Sequence, residues 1–390
     1  MAQKFFDELH EWSERKLEIL RKYLDGATRI LGSVGQVYYV DGFAGRGSYG
    51  RAGETQVPGS PLQAAQLAQS NDIEGRSYTL RCVNVERDLS TFTELQEVTQ
   101  PYRKYVTNIH GEFAEKINNI LAIIADSPTV CFLDPFGVNG IDWDAIQALI
   151  QRKGITDFWI RFDVKEVRRR EGYYNSDLAG ADKQYDILCN VYGIQDKHQL
   201  HKLLDGNTAE ARTNNAINLY TSRLIEEFER ARGTGYATEY RIGSIKDETK
   251  YHLVFATASA KGLVLASDVV YGVEENYQKE LERHKLSEHT AKTGQMNFLS
   301  RLAPTEDDIF GGKVEQIKSI IWDQCKKQSL TRLEIHTRLV DNRFLHSDSF
   351  FGIIKKKHLT QALKEMEQDG RIVSRVGSRS DDKAVFQFLT

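Results

Sequence analysis

The chain has 390 residues, 40% hydrophobic and 10% aromatic, with 52 Lys/Arg against 55 Asp/Glu for a net charge of −3. That is enough apolar sequence for a sizeable core and two or three domains, and its aromatic content with only 6 Pro excludes a disordered chain. Cys82, Cys131, Cys189 and Cys325 are far apart with no C-x-x-C pair, which argues against a disulfide framework, a zinc knuckle or an iron–sulfur cluster; with no signal core or membrane-length apolar run, a cytoplasmic protein is expected.

In chain order, residues 5–24 place Phe5, Leu9, Trp12, Leu17, Leu20 and Leu24 near one face of a helix. A strand over Gln36–Val40 runs into Asp41-Gly42-Phe43-Ala44-Gly45-Arg46-Gly47, and a polar, Gly-rich stretch leads to Pro58-Gly59. Ser60-Pro61 reads as the N-cap and first residue of a helix. Further strands are expected at Tyr78–Glu86, Tyr105–Ile109, Thr129–Asp134, Asp157–Phe162 and His252–Thr257, with helical segments between several of them. Such alternation predicts an α/β protein with a largely parallel sheet. From Asp163 to about Arg232 the sequence turns helical and charged, opening with Lys165-Glu166-Val167-Arg168-Arg169-Arg170; it predicts an insertion near the carboxyl ends of the strands. Residues 302–312 predict a linker. Helices over 313–327, 331–340 and about 357–369, followed by alternating stretches at 371–376 and 384–388, outline a winged helix. The expected organisation is a domain over 1–301, a linker, and a winged-helix domain over 313–390. That last segment carries fifteen Lys/Arg against ten Asp/Glu, leaving the rest of the chain at a net charge of −8.

Four strand ends carry the chemistry. Asp41 closes an apolar strand, and the small residues Gly42, Ala44, Gly45 and Gly47 let a ligand approach the backbone closely. A second apolar strand ends in Glu86, where such sheets place a ribose-hydroxyl acceptor. A third leads to Gly111-Glu112-Phe113 and a fourth to Asp134-Pro135-Phe136-Gly137. Each has a plainer reading: Glu86 as a solvated strand-end acid, Glu112 as a helix cap, Phe113 as core, Asp134 as a cap of the following loop, and Phe136 as packing. Asp142 and Asp144 read as helix-start residues. The run Arg168, Arg169, Arg170 is either a solvated helix face or a phosphate contact, and Lys355, Lys356, Lys357, Arg371, Arg375 and Arg379 are candidates for a nucleic-acid surface. His110, His252 and His336 show no metal-ligand spacing, and no metal is expected.

The series of strand-end acids resembles the class I S-adenosylmethionine-dependent methyltransferases, where the Asp-x-Phe-Ala-Gly-x-Gly form of the first loop is common. That resemblance implies a Rossmann-like methyltransferase sheet. Asp41, Gly42, Phe43, Ala44, Gly45 and Gly47 would surround the amino-acid portion of S-adenosyl-L-methionine, with Glu86 on the ribose and Glu112 and Phe113 at the adenine. Asp134, Pro135 and Phe136 would hold the acceptor. Nearly the whole chain also resembles the three-Cys-motif partner family (TcmP), through the N-terminal helix with Trp12 and KLEILRKYL, and through VDGFAGRG, GSPLQAA, CFLDPFGV and YHLVFATASAKGL. Members of that family are uncharacterised methyltransferase-like proteins named for a neighbouring three-cysteine, radical-S-adenosylmethionine-type protein, which the resemblance implies as a partner. Asp-Pro-Phe-Gly is similar to the motif of tRNA guanine-N2 dimethyltransferases; it lacks the second proline of adenine-N6 enzymes. The expected function is methylation of an exocyclic amine on a nucleobase, guanine or adenine, in DNA or RNA. The alternative is a non-catalytic cofactor-binding scaffold that brings the three-cysteine partner to nucleic acid. A nicotinamide-dependent oxidoreductase is disfavoured because the first turn lacks the Gly-x-Gly-x-x-G spacing.

Overall fold

The computed structural model describes residues 11–33, 35–50, 56–243, 249–293, 305–341, 343 and 349–389. The chain divides into two compact units, Met1–Ser259 and Ala260–Thr390. The division falls well before the expected linker at 302–312, which is also not a linker along its length. From Glu306 it is helix, started by a capping box in which Thr305 and Asp308 satisfy each other's backbone N–H.

The first unit is built on seven strands: β1 (Val37–Asp41), β4 (Leu80–Glu86), β5 (Val106–His110), β6 (Thr129–Leu133), β7 (Thr156–Phe162), β8 (Tyr236–Gly243) and β9 (Thr249–Thr257). A separate small hairpin pairs β2 (Ser48–Tyr49) with β3 (Val57–Pro58). The spatial order of the large sheet is β5-β4-β1-β6-β7-β9-β8, parallel from β5 to β7, with β9 antiparallel to both of its neighbours. All five residues of β6 are buried and β1 is nearly so, as runs covered on both faces require. The strand β8 has no clear apolar run because it lies at the sheet edge and mixes the polar Thr238, Glu239 and Arg241 with its apolar residues.

Helices cover the sheet. The first, α1 (Glu11–Leu31), buries Leu17, Leu20 and Leu24 as the spacing requires; Phe5 and Leu9 of the expected helix lie outside the described residues. The helix α2 (Ser60–Ile73) has Gly59, not Ser60, at its N-cap. Then come α3 (Leu89–Thr99), α4 (Ile117–Ile124) and α5 (Trp143–Gln151), the last capped by Asp142. The expected insertion is four helices between β7 and β8: α6 (Val164–Glu171), α7 (Ala181–Tyr192), α8 (Lys197–Leu204) and α9 (Ala209–Arg232). It joins the sheet core through Phe162, whose ring stacks on Tyr220 at 4.4 Å.

The second unit holds α10 (Ala260–Thr293), α11 (Glu306–Cys325), α12 (Arg332–Val340) and α13 (Lys356–Gln368). A three-stranded antiparallel sheet accompanies them, ordered β10 (Ser329–Thr331), β12 (Val385–Phe388), β11 (Ile372–Val376). Ile317, Ile335, Leu339, Leu363, Met366 and Phe386 form part of its buried interior. No helix among the described residues is long and apolar enough to cross a membrane.

Candidate active site at the strand ends

Asp41 lies opposite Asn84 and Phe132 in the sheet register, so Glu86 and Asp134 stand two residues further along the neighbouring strands. The loop after β1 is stitched to both neighbours. The Gly42 N–H donates to the Phe132 carbonyl at 3.0 Å, and the Ala44 N–H to the Val85 carbonyl at 2.9 Å. Gly42 passes so close to the core that an added Cβ would stand 2.6 Å from Leu133 Cδ2 and 2.9 Å from the Phe113 ring. Gly47 needs its φ of +83°, which a side chain would strain.

Asp41 is fully buried and holds this loop together. Its carboxylate accepts from the Tyr39 hydroxyl at 2.8 Å, from the Phe43 N–H at 3.2 Å, and from the Ser60 hydroxyl. Burial pushes its pKa up to about 6, against these hydrogen bonds, with the charge of Asp134 adding to the rise. An acid whose pKa is higher in the folded than in the unfolded chain contributes stability below its unfolded pKa and loses it as pH rises through its folded one. Asp41→Asn should therefore gain about 2–3 kcal/mol over wild type between pH 4 and pH 6 and keep that margin above. Chemical denaturation of both proteins across this range measures it; a margin independent of pH would show that Asp41 is not the titrating group.

Glu86 bridges two loops: Oε2 accepts from the Gly45 N–H at 2.9 Å and Oε1 from the Asp88 N–H at 2.7 Å. A carboxylate has about four lone-pair sites, so each oxygen keeps capacity for a further donor such as a hydroxyl. Small buried residues at 42, 44, 45 and 47 and spare acceptor capacity on Glu86 fit S-adenosylmethionine. Two other expected contacts are placed differently. Phe113 is 2% exposed and packs under Gly42 and against Phe43, and the exposed Glu112 pairs with Arg87 at 3.4 Å.

The Asp134-Pro135-Phe136 segment has partners that no local pattern in the sequence indicates. Lys16, buried on α1, forms an ion pair with Asp134 Oδ2. Arg161 on β7 stands 3.7 Å from Oδ1 and donates to the Pro135 carbonyl at 3.2 Å. Burial lowers the Lys16 pKa while Asp134 opposes the fall; Arg161, a like charge nearby, adds to it. Tyr251 closes the cluster, with Arg161 over its ring at 4.8 Å and Lys16 at 5.9 Å. Asp134 Oδ1 is buried and accepts no hydrogen bond, and the Phe136 ring is 55% exposed. Two weak signals for these cations are present: Lys16 is spaced four residues from Trp12 and from Leu20, on the apolar face of the helix, and Arg161 interrupts the apolar run of β7.

The basic candidates separate. Arg169 pairs with Glu166 at 2.8 Å, and Arg170 is buried with Glu166, Gln184 and Asn139 as partners, so the run is not a joint phosphate clamp. The side chain of Arg168 alone among the three has no partner among the described residues. In the second unit Lys355 bonds Glu275, Lys356 faces Asp268 at 3.9 Å, Arg371 pairs with Asp369, and Arg375 and Arg379 share Glu367. Lys357 is exposed. Among the described residues no group of three His, Cys, Asp or Glu is placed to hold a metal ion.

With its sheet strands numbered along the chain the order is 3-2-1-4-5-7-6, the seventh antiparallel, which is the mixed sheet typical of the methyltransferase Rossmann fold. Solved structures that match distantly include a putative O-methyltransferase from Klebsiella pneumoniae (11% identity, TM-score 0.33, 66% of this chain and 93% of that one). An O-methyltransferase from Bacillus cereus in complex with SAH matches at 12% identity and TM-score 0.34, covering 66% of this chain and 86% of the other. The O-methyltransferase TomG from Streptomyces achromogenes, in complex with SAM, matches at 13% and 0.32, covering 66% and 99%. The class of fold rests on strand order and direction, not on these distant likenesses. No family model and no curated protein matches the chain.

Proposed function

We propose that the chain is an S-adenosylmethionine-dependent methyltransferase acting on an exocyclic amine of a nucleobase in DNA or RNA. The observation that carries this is Asp134 Oδ1, a buried carboxylate oxygen without a hydrogen bond at the end of β6, beside a loop that fits the cofactor. A buried acceptor of this kind is costly unless a donor completes it, and an amine N–H is such a donor. S-adenosylmethionine, when bound, supplies an electrophilic methyl group. Asp134 then orients the acceptor amine and takes up its released proton, Lys16 and Arg161 hold that carboxylate fixed, and Phe136, 55% exposed, stands at the same strand end. The helix–strand–helix–helix–strand–strand order from α11 to β12 supports a winged helix in the second unit, a module compatible with nucleic acid.

Calorimetric titration of the whole protein with S-adenosylmethionine, paired with transfer of labelled methyl groups to total RNA and DNA, tests this. Wild type should bind, and Glu86→Ala should bind at least ~10-fold more weakly through loss of the ribose acceptor. A folded wild-type protein with no affinity for the cofactor would overturn the proposal.

A second reading, a cofactor-binding scaffold working with a three-cysteine-motif protein, is favoured by one observation: cations of this chain already hold Asp134 Oδ2 and the Pro135 carbonyl. Methylation by the purified chain alone would remove it; cofactor binding without transfer until the partner is added would select it.

A further inference from the structure

A cavity of about 270 Å³ lies in the first unit between α6, the start of α9 and the β8–β9 edge. Its lining carries Lys165, Arg168, Arg241, Lys250 and the ring of His252, with Glu210 as the lining acid, and Glu239 of β8 faces both Arg241 and His252. An outer basin of about 360 Å³ shares Lys165 and Arg168 and adds Arg169 and Arg212, with Glu171 its one acid. Glu171 lies beside His201 and Glu166 pairs with Arg169 and Arg170, and neither acid forms an ion pair with Arg168.

Arg168 differs from the other arginines with a buried, unbonded Nε in lining both hollows. It belongs to both hollows, its Nε is buried without a hydrogen bond, and its side chain has no acceptor among the described residues. The half-buried guanidinium has a buried Nε without an acceptor and opens its remaining N–H groups to the two hollows, and its planar fork matches two oxygens of a phosphate. The cavity also adjoins the strand-end cluster. Tyr251, on its wall, is the ring on which Arg161 lies, and Arg161 in turn contacts Asp134 and Pro135.

We infer that this cavity holds a backbone phosphate of a single nucleic-acid strand, with Arg168 as its principal ligand and the outer basin taking the next phosphate along. The site lies on the helical insertion of the first unit, and the identification of the anion as a nucleic-acid strand rests on the methyltransferase function proposed for the strand ends. Two basic hollows joined through Lys165 and Arg168 suit a ligand with anionic groups repeated along a chain rather than one isolated anion.

The test is fluorescence anisotropy with a short labelled single-stranded RNA and its DNA counterpart, at several salt concentrations, on the full chain. Wild type should bind one or both. Arg168→Gln should weaken binding about tenfold or more and lower the salt slope by about one, Arg168→Lys should fall between them, and Arg169→Gln should have a smaller effect. Melting temperatures confirm that the variants are folded. Oligonucleotide binding absent in wild type, or unchanged in Arg168→Gln, overturns the inference. So does binding that responds to Lys357 and the second unit alone. Calorimetry with S-adenosylmethionine runs alongside: lost strand binding with intact cofactor affinity in Arg168→Gln supports the inference. Arg168-dependent strand binding in a wild type that does not bind the cofactor sustains this site and removes the methyltransferase reading.

Discussion

Asp134→Ala is expected to lower methyl transfer by about 10²–10⁴-fold and to destabilise the first unit by about 3–5 kcal/mol. The two effects have different origins. On the proposed function, transfer falls because the buried Oδ1 assigned to the acceptor amine is removed. Stability falls because Lys16 is left buried, without its ion-pair partner and facing the like charge of Arg161. Breaking a buried pair from one side strands a charge, whereas replacing both members with apolar groups of similar volume can be nearly neutral. The double variant Lys16→Met/Asp134→Leu should therefore recover most of the stability and none of the transfer. Urea unfolding and single-turnover transfer, measured on wild type, the single variant and the double variant, separate these terms. Wild-type turnover in Asp134→Ala would remove the acceptor assignment. Unchanged unfolding would show that the Lys16 pair contributes little. A loss of stability in a chain that transfers no methyl group even as wild type would point to the scaffold reading, in which the same cluster simply ties α1 to the sheet.

The sheet was legible because its central strands are apolar runs closed by Gly, Asp or Glu, and the periodicity of such runs survives without any tertiary information. The loop from Asp41 to Gly47 was legible for the same local reason: small residues directly after a first strand mark a turn where the backbone is approached closely. What local patterns could not supply was partnership across the fold. Lys16 and Asp134 lie far apart in sequence, and neither announces the other. The same limit applies to charge. Arg371, Arg375 and Arg379 count as a basic surface in the sequence, yet Asp369 and Glu367 balance them in space. Of three consecutive arginines, helix geometry turns Arg170 inward and sets Arg169 on Glu166, leaving Arg168 alone. The helix at Glu306 was hidden by its acidic first turn, which reads as linker composition but is what a helix N-terminus favours.

Acid should destabilise the second unit through His336. The ring is fully buried on α12, neither nitrogen has a hydrogen bond, and burial with the charges of Arg332 and Lys356 pushes its pKa down to about 3. Unfolded, it titrates near pH 6.5, so between these values the unfolded chain binds a proton that the native one refuses. Stability is then complete well above pH 6.5 and declines as pH falls, by about 2 kcal/mol at pH 5 and about 4 kcal/mol near pH 3. His358, stacked on Phe310 and lowered to about 4, acts in the same direction. Asp268 acts in the opposite one: burial raises it to about 6, so it gains stability as pH falls from about 6 towards 4. The total profile therefore mixes signs, and the informative quantity is the difference between wild type and His336→Leu. That variant keeps an apolar group of comparable size, removes two unsatisfied nitrogens, and should stay within about 1.5 kcal/mol of wild type at pH 7.5. By pH 5 it should have gained about 2 kcal/mol relative to that starting point. Denaturant melts followed by a probe in the second unit measure the difference. A constant gap from pH 7.5 to pH 5 would mean that the native ring takes up its proton in place, and that the pocket around α12 admits water or an acceptor.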